Sequence, residues 1–151
     1  MGDRIAWLQQ RFGDIWPEHT RAFGDLLIAA RRHFDGDLDC FLILAVVGSR
    51  TLSRDSLKGL QYGQFLSGRR HADQPSNLIN VQSIAAVTGI PRESVRRKVN
   101  HLLERGWLVR EGRGLIAGPT AALELRELTE ATLRYIGTLL DALERGDSAG
   151  G

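Results

Sequence analysis

The sequence has few of the residues that would mark a secreted or membrane protein. It contains one cysteine, Cys40, among 151 residues, so an internal disulfide is excluded and the cytoplasm is the expected location. The most apolar stretch, residues 38–48, is too short for a membrane helix, which needs roughly 20 apolar residues. Residues 1–10 include no apolar run of signal-peptide length. We therefore expect neither a secretory leader nor contact with a membrane.

Patterns of metal-binding and catalytic residues are also missing. The four histidines show no ligand spacing with one another or with Cys40, so no metal site is expected. Gly112, Gly114 and Gly118 do not form a nucleotide-binding fingerprint, and no nucleophile–base or paired-carboxylate arrangement stands out. The sequence therefore predicts neither a cofactor nor an enzyme. Cys40 has apolar neighbours and is expected to be a small core residue rather than a redox sensor.

The sequence does have a local concentration of positive charge. The net formal charge of the chain is only +2, which excludes a histone-like polycation. Between Gly89 and Arg113, seven basic and three acidic residues give +4, so the rest of the chain carries −2. A cationic segment of this kind is typical of a phosphate-binding surface. Arg69, Arg70 and His71 form a smaller basic group, for which a plain surface loop is favoured over an accessory phosphate contact.

Apolar periodicity predicts helices in the first third of the chain. Residues 1–52 read as N-terminal helices, with a new helix beginning at Pro17 because a first turn needs no N–H from that residue. Residues 38–52 are apolar on nearly every face and predict the central buried helix. Residues 53–77 are rich in Ser, Gly, Asp, Asn and Pro, which predicts a loop-rich segment with one short helix.

Residues 78–118 have the pattern of two short helices, a tight turn between them, and a β-hairpin. Asn80 is suited to cap the first helix and Gly89 to end it, while Pro91 opens the second helix. The expected elements are a short strand at 78–79, helices at 81–88 and 91–105, and strands at 107–110 and 115–117. The residues expected to face a core are Ile84, Ala85, Val87, Val95, Val99, Leu102 and Leu103.

Residues 80–117 resemble the winged helix-turn-helix of bacterial transcription regulators; their sequence is NVQSIAAVTGIPRESVRRKVNHLLERGWLVREGRGLIA. The segment PRESVRR followed by LLERGWLV is similar to the DNA-binding domain of the cyclic-AMP receptor protein family, which implies base contacts from Arg92, Glu93 and Arg97. Residues 1–78 are too few for that family's nucleotide-binding domain, so cyclic-nucleotide binding is not implied. The flanking helices are more similar to MarR-type regulators, although the Asp-x-Arg wing motif of that family is missing.

In such a module the second helix enters the DNA major groove and the hairpin lies beside it. Arginine can donate its planar fork to guanine, glutamate can accept from cytosine, and serine or lysine can hold phosphates. DNA contacts are therefore expected from Arg92, Glu93, Ser94, Arg96, Arg97, Lys98 and, at the hairpin turn, Arg113. The alternative for the charged residues 96–98 is that they lie on a helix face that contacts only solvent.

Residues 119–145 predict a long C-terminal helix with more apolar surface than one solvent-facing helix needs. Pairing with a second copy would bury that surface, and packing on the chain's own N-terminal helices is the alternative. The expected dimerisation residues are Leu125, Leu128, Ile136, Leu139 and Leu143. Residues 1–145 are thus expected to form a single domain, and residues 146–151 a disordered tail.

The sequence therefore predicts a mainly α (α+β) protein, with a winged helix-turn-helix flanked by N-terminal helices and a long C-terminal helix. The expected function is that of a homodimeric, cytoplasmic transcriptional regulator binding a palindromic site on double-stranded DNA. The alternative is a winged-helix protein–protein interaction module that does not bind DNA. Aromatic residues could line a pocket for a small-molecule effector, although core positions are their commoner role; these residues are Trp7, Trp16, Phe23 and Tyr62.

Overall fold

The computed structural model describes residues 2–69 and 78–148, which are mostly helical with one small antiparallel sheet. This agrees with the predicted α+β class. The elements are α1 (Gly2–Gln10), α2 (Phe12–His33), α3 (Leu38–Thr51), α4 (Arg54–Leu57), α5 (Tyr62–Leu66), α6 (Val81–Thr88), α7 (Arg92–Glu104), β1 (Leu108–Glu111), β2 (Gly114–Ala117), α8 (Ala121–Glu124) and α9 (Arg126–Ser148). Arg70 and His71, which the sequence groups with Arg69, lie outside the described residues.

Two compact units make up the chain where the sequence predicts a single domain. The terminal unit, Met1–Arg32 with Glu127–Gly151, contains α1, α2 and nearly all of α9. The central unit, His33–Arg126, contains the other helices and both strands. The segment expected to contact DNA therefore lies wholly in the central unit.

The break between the first two helices lies at Arg11, so the prediction that Pro17 opens a new helix is wrong. Pro17 lies in the second turn of α2, where its missing N–H removes one backbone hydrogen bond. The Thr20 hydroxyl donates to the carbonyl oxygens of Trp16 and Pro17, at 3.1 and 3.0 Å. The helix nevertheless continues through Pro17 without a break, from Phe12 to His33.

Within the terminal unit, α2 packs against α9. The His19 Nδ1 atom lies 2.7 Å from the Tyr135 hydroxyl, and the Phe23 ring is 5.8 Å from the Tyr135 ring. Glu18 on α2 also forms an ion pair with Arg145 on α9, at 3.6 Å. The alternative that the last helix packs on the chain's own N-terminal helices is therefore correct for one of its faces.

The core of the central unit forms around α3, which packs on α6, α7 and β2. Asp37 begins α3 by accepting a hydrogen bond from the Cys40 N–H at 3.2 Å. The inward face of α3 is buried, but Leu38 and Leu42 on the opposite face are exposed. The expectation of burial on nearly every face is therefore wrong, although the central position is confirmed. The buried residues of α3 are Cys40, Ile43, Val47 and Thr51.

The loop-rich segment holds two short helices, α4 and α5, where the sequence predicts one. Ser53 caps α4 by accepting a hydrogen bond from the Ser56 N–H at 3.2 Å. Gly59, with φ of +75°, lies in the turn that separates the two helices. A left-handed residue ends a helix, which is why the apolar residues of this segment do not form one continuous element.

The two strands form a hairpin with Leu108 opposite Ala117 and Glu111 opposite Gly114. Next to the turn, β1 ends one residue later than predicted and β2 begins one residue earlier than predicted. Gly112 has φ of +55° at the first position of the two-residue turn, a conformation that favours glycine. Ile79 adds one bridge to Leu115, where the sequence predicts a short strand.

The C-terminal helical pattern is interrupted at Leu125, so it forms α8 and α9 rather than one helix. The Leu125 N–H donates to the Ala121 carbonyl oxygen at 2.9 Å, and α9 then begins at Arg126. α9 continues to Ser148, three residues beyond the predicted end at residue 145. Residues 149–151 of the expected tail lie outside the described residues.

Candidate nucleic-acid interface

A tight three-residue connection joins α6 to α7. The Asn80 side chain caps α6 by accepting a hydrogen bond from the Ser83 N–H at 2.9 Å. Gly89 ends α6 in the left-handed conformation, with φ of +76°. Ile90 is then buried and Pro91 stands immediately before α7. The predicted bounds of α6 and the predicted roles of Asn80 and Gly89 are confirmed.

The inward face of α7 is anchored in the core of the central unit. Val95, Val99 and Leu102 are completely buried, as predicted, whereas Leu103 is half-buried. On α6, Ile84 is buried but Val87 is 62% exposed, so the prediction that Val87 faces the core is wrong. Ile90 fills the core position that follows the turn instead. Burial of this one face therefore fixes which side chains of α7 point away from the core.

The opposite side of α7 is polar and faces away from this core. Arg92, Glu93, Arg96 and Arg97 are exposed and Ser94 is half-buried; we call these five residues the outer face of α7. A shallow depression includes four of them and continues along the helix to Asn100, His101 and Glu104. The structure therefore brings together five of the seven residues that the sequence predicts for DNA contact.

Two residues of the outer face form an ion pair. The Arg96 Nη2 atom lies 2.9 Å from Glu93 Oε2, and Arg96 Nε lies 3.3 Å from both carboxylate oxygens. The hydrogen bond from Arg96 lowers the pKa of Glu93, so this carboxylate is charged at neutral pH. Both side chains are well exposed. Exposed pairs one helical turn apart contribute little stability, so Arg96 can exchange Glu93 for another anion at low cost.

Arg92 and Arg97 differ from Arg96 in forming no hydrogen bond or close ion pair with the described residues, although the charge of Arg92 helps to lower the pKa of Glu93. Within residues 2–69 and 78–148, neither guanidinium lies within 4 Å of a carboxylate oxygen or donates a hydrogen bond. An arginine fork presents several donors in one plane and matches paired acceptors. These two side chains therefore offer their full donor capacity to a molecule outside the chain.

Lys98 lies apart from the outer face. Its ammonium group donates to the Asp37 carboxylate, and its side chain is only 15% exposed. Burial raises the pKa of Asp37, but hydrogen bonds from Lys98 and from the Cys40 N–H outweigh this effect and hold the pKa below its usual value. Lys98 thus fastens α7 to the start of α3. No sequence signal links these two residues, which are 61 positions apart.

The hairpin turn supplies the last predicted contact residue. Arg113 is exposed in the two-residue turn, and Arg110 is exposed on β1. At the other end of the hairpin, the Gly118 N–H donates to the Trp107 carbonyl oxygen at 2.8 Å. A Cβ atom at Gly118 would overlap the carbonyl oxygen of Gly106, so this close approach requires glycine. The hairpin is therefore held firmly at its base.

The residues predicted for dimerisation do not all lie on one surface. Leu125 and Leu128 are buried within the chain, so they are not available to a partner, and Leu139 and Leu143 are half-buried. Ile136 is exposed. The sequence pattern treats all apolar positions of the helix alike, whereas contacts within the chain occupy some of them. The exposed apolar residues of α9 are Leu133, Ile136 and Leu140, and those of α2 are Phe12, Trp16, Phe23 and Ile28.

The aromatic residues considered for an effector pocket are divided between the two units. Trp16 and Phe23 lie on α2, and Trp7 on α1 stacks beneath the Arg11 guanidinium at 4.4 Å. Tyr62 belongs to α5 in the central unit. An effector pocket therefore stays a prediction.

Cys40 is buried, and the loss of solvation raises the pKa of its thiol to about 11. A neutral, buried thiol fits the predicted core role. Across the described part of the chain, no group of three His, Cys, Asp or Glu residues could hold a metal ion. None of the described helices combines the length and apolar character that a membrane span requires.

Comparison with known proteins gives no relative for this chain. No protein family, curated protein or solved structure matches it. The geometry of α6, α7 and the hairpin is therefore the guide to function.

Proposed function

We propose that the chain is a sequence-specific DNA-binding transcriptional regulator in which α6, α7 and the hairpin act as a winged helix-turn-helix. The outer face of α7 carries this proposal. Arg92 and Arg97 are exposed and, among the described residues, unpaired. A helix anchored on one side, with free arginine forks on the other, suits the major groove, where each guanine offers two acceptors.

The other charged side chains fit supporting roles in the same complex. Arg113 at the hairpin turn is placed to meet phosphates or the minor groove beside the recognition helix α7. Glu93 would repel phosphates but accept a hydrogen bond from a cytosine N4 amino group, which favours one base over the others. Lys98 is left out of the interface because it is paired with Asp37.

A homodimer is part of this proposal because the terminal unit exposes two rows of apolar side chains. Phe12, Trp16 and Phe23 on α2 and Leu133, Ile136 and Leu140 on α9 are each about half exposed. Since a large side chain spans roughly 150–250 Å², these six leave roughly 500–600 Å² of apolar surface on each chain. Two copies would bury roughly twice that area, close to the lower bound of about 1,200 Å² for specific interfaces.

A two-fold dimer presents two recognition helices to half-sites about one turn of DNA apart, so the site would be palindromic. The cytoplasm, where such a regulator meets DNA, is the proposed location. The resemblance of residues 80–117 to bacterial regulators is consistent with this role. Whether the protein activates or represses depends on where its site lies relative to a promoter.

Selection from a random pool of double-stranded DNA tests the proposal. We expect enrichment of a palindrome, with log K falling linearly with log salt by about 0.9 for each phosphate neutralised. The double variant Arg92→Ala/Arg97→Ala should lose the enrichment. Arg134→Ala, which removes one exposed charge from α9, is the control and should keep it. No enrichment by the wild-type protein would contradict DNA recognition and favour the protein-interaction alternative.

A further inference from the structure

Trp107, between α7 and β1, is the meeting point of three segments of the central unit. Its side chain is buried and packs edge-on against the Phe34 ring, with ring centroids 5.3 Å apart. Its indole N–H donates to the Glu124 carboxylate. The Arg105 guanidinium stacks 3.7 Å from the centre of the indole ring and lies 3.4 Å from the Asp35 carboxylate. We call these five residues the Trp107 cluster.

The cluster lies where the chain enters and leaves the central unit. Phe34 and Asp35 directly follow α2, and Glu124 ends α8 two residues before α9 begins. The chain passes between the units at residues 32–33 and 126–127, so members of the cluster lie within three residues of each crossing, on the side of the central unit. Arg105 and Trp107 follow α7 and precede the hairpin. The buried Trp107 side chain therefore contacts, within the central unit, the residue that follows α2, the residue that ends α8 and the residue that follows α7.

We propose that the Trp107 cluster is a positioning device that sets the separation of half-sites accepted by the dimer. This inference rests on the proposed function. It follows because the cluster ties together, within the central unit, the residues that follow α2 and the residue that ends α8. Lengthening the spacing by one base pair rotates a half-site by about 34–36°, since the helix repeats every 10–10.5 base pairs. A dimer with rigid connections cannot bind both half-sites after such a rotation, whereas a dimer with loosened connections can.

The matched pair Glu124→Gln and Glu124→Leu tests this. Both variants remove the same charge, but glutamine keeps an oxygen that can accept from the indole N–H. Binding is measured to the selected palindrome, to palindromes longer or shorter by one or two base pairs, and to a single half-site. For wild type and Glu124→Gln we expect at least a tenfold preference for one spacing, about 1.4 kcal/mol. For Glu124→Leu the preference should fall below about threefold, with unchanged half-site affinity.

Trp107→Phe, which keeps a ring against Phe34 but has no N–H, is the second variant and applies if Glu124→Leu does not fold. It should show the same loss of spacing preference. Equal preferences in Glu124→Gln and Glu124→Leu would overturn the proposal. So would a wild-type protein that binds its palindrome without any preference for spacing, although sequence-specific binding would then still stand.

If the wild-type protein binds no DNA, the proposed function is refuted. The positioning role of the Trp107 cluster can then be tested by a distance measurement that needs no DNA. Spin labels at Gln82→Cys on α6 and Arg134→Cys on α9 provide it, because Cys40 is buried and not readily labelled. Dilution with unlabelled chain restricts the signal to distances within one protomer. A broader distance distribution in Glu124→Leu than in Glu124→Gln supports the positioning role, and equal widths overturn it.

Discussion

Replacing Arg97 by alanine tests which side chain carries sequence recognition. Within the described part of the chain, the Arg97 guanidinium has no hydrogen bond or ion pair. Its loss removes no internal contact, so the free energy of unfolding should change by less than about 0.5 kcal/mol. A bidentate arginine–guanine pair contributes about 1–3 kcal/mol of discrimination. Affinity for the selected site should therefore fall roughly 5- to 150-fold.

Two further substitutions separate charge from geometry. Arg97→Lys keeps the positive charge but loses the planar fork, so affinity for the selected site should fall while the salt dependence stays the same. Arg96→Ala removes the same charge from the neighbouring position. Because Arg96 is already paired with Glu93, its loss should weaken binding to all sequences by a similar factor and leave the base preference intact.

Fluorescence anisotropy over a series of salt concentrations provides the assay, with the selected site and a series in which each base pair is changed in turn. Thermal unfolding of each variant is followed in parallel. Unchanged affinity and base preference in Arg97→Ala would refute the assignment. An equal loss on selected and random DNA would make Arg97 a phosphate contact instead.

Three more predictions concern the dimer, the base of the hairpin and the Lys98–Asp37 pair. If the proposed dimer forms, Ile136→Glu should convert it to monomers in sedimentation experiments, whereas Arg134→Glu on the same helix should not; a dimeric Ile136→Glu variant would place the interface elsewhere. Gly118→Ala should lower the free energy of unfolding by about 1–3 kcal/mol because the new Cβ overlaps a backbone carbonyl oxygen. Gly48→Ala in α3, where a Cβ meets open space, should raise it by up to about 1 kcal/mol in denaturant titrations, and equal effects of the two would contradict this reasoning. Folding lowers the pKa of Asp37. The ionised Asp37 carboxylate therefore adds to the free energy of unfolding at pH values above its unfolded pKa of about 3.9, and this stability is lost as the pH falls through the pKa of Asp37 in the folded protein. Asp37→Asn, which still caps α3, should flatten this acid-side loss of stability, and an unchanged pH profile would exclude the pair as its source.

The parts of the fold that could be predicted depend on local chemistry. The bounds of α6 follow from Asn80, whose side chain caps the helix, and Gly89, which has the positive φ that ends it. The buried face of α7 follows from the 3.6-residue period that brings Val95, Val99 and Leu102 to one side. These signals act within a few residues of one another, so a single sequence is enough to detect them.

Features that depend on distant partners could not be predicted in this way. Lys98 has the sequence context of a DNA contact, and only its approach to Asp37 removes it from that surface. Leu128 and Ile136 belong to the same helical pattern, yet one is buried within the chain and the other is exposed. Pro17 has a strong local tendency to begin a helix, but the helix formed around it begins at Phe12. In each case tertiary packing overrides a local preference.

The two sides of α7 separate binding from stability. Val95 and Val99 face the core, where truncation destabilises the fold, while Arg92 and Arg97 are exposed and form no hydrogen bond or close ion pair in the described chain. At Arg92 and Arg97 we therefore expect a loss of DNA affinity without a loss of stability. Lys98 lies between the two sides and contacts Asp37, so its substitution would change stability and helix position together. Variants of Arg92 and Arg97 are therefore expected to report on the proposed DNA recognition free of this coupling.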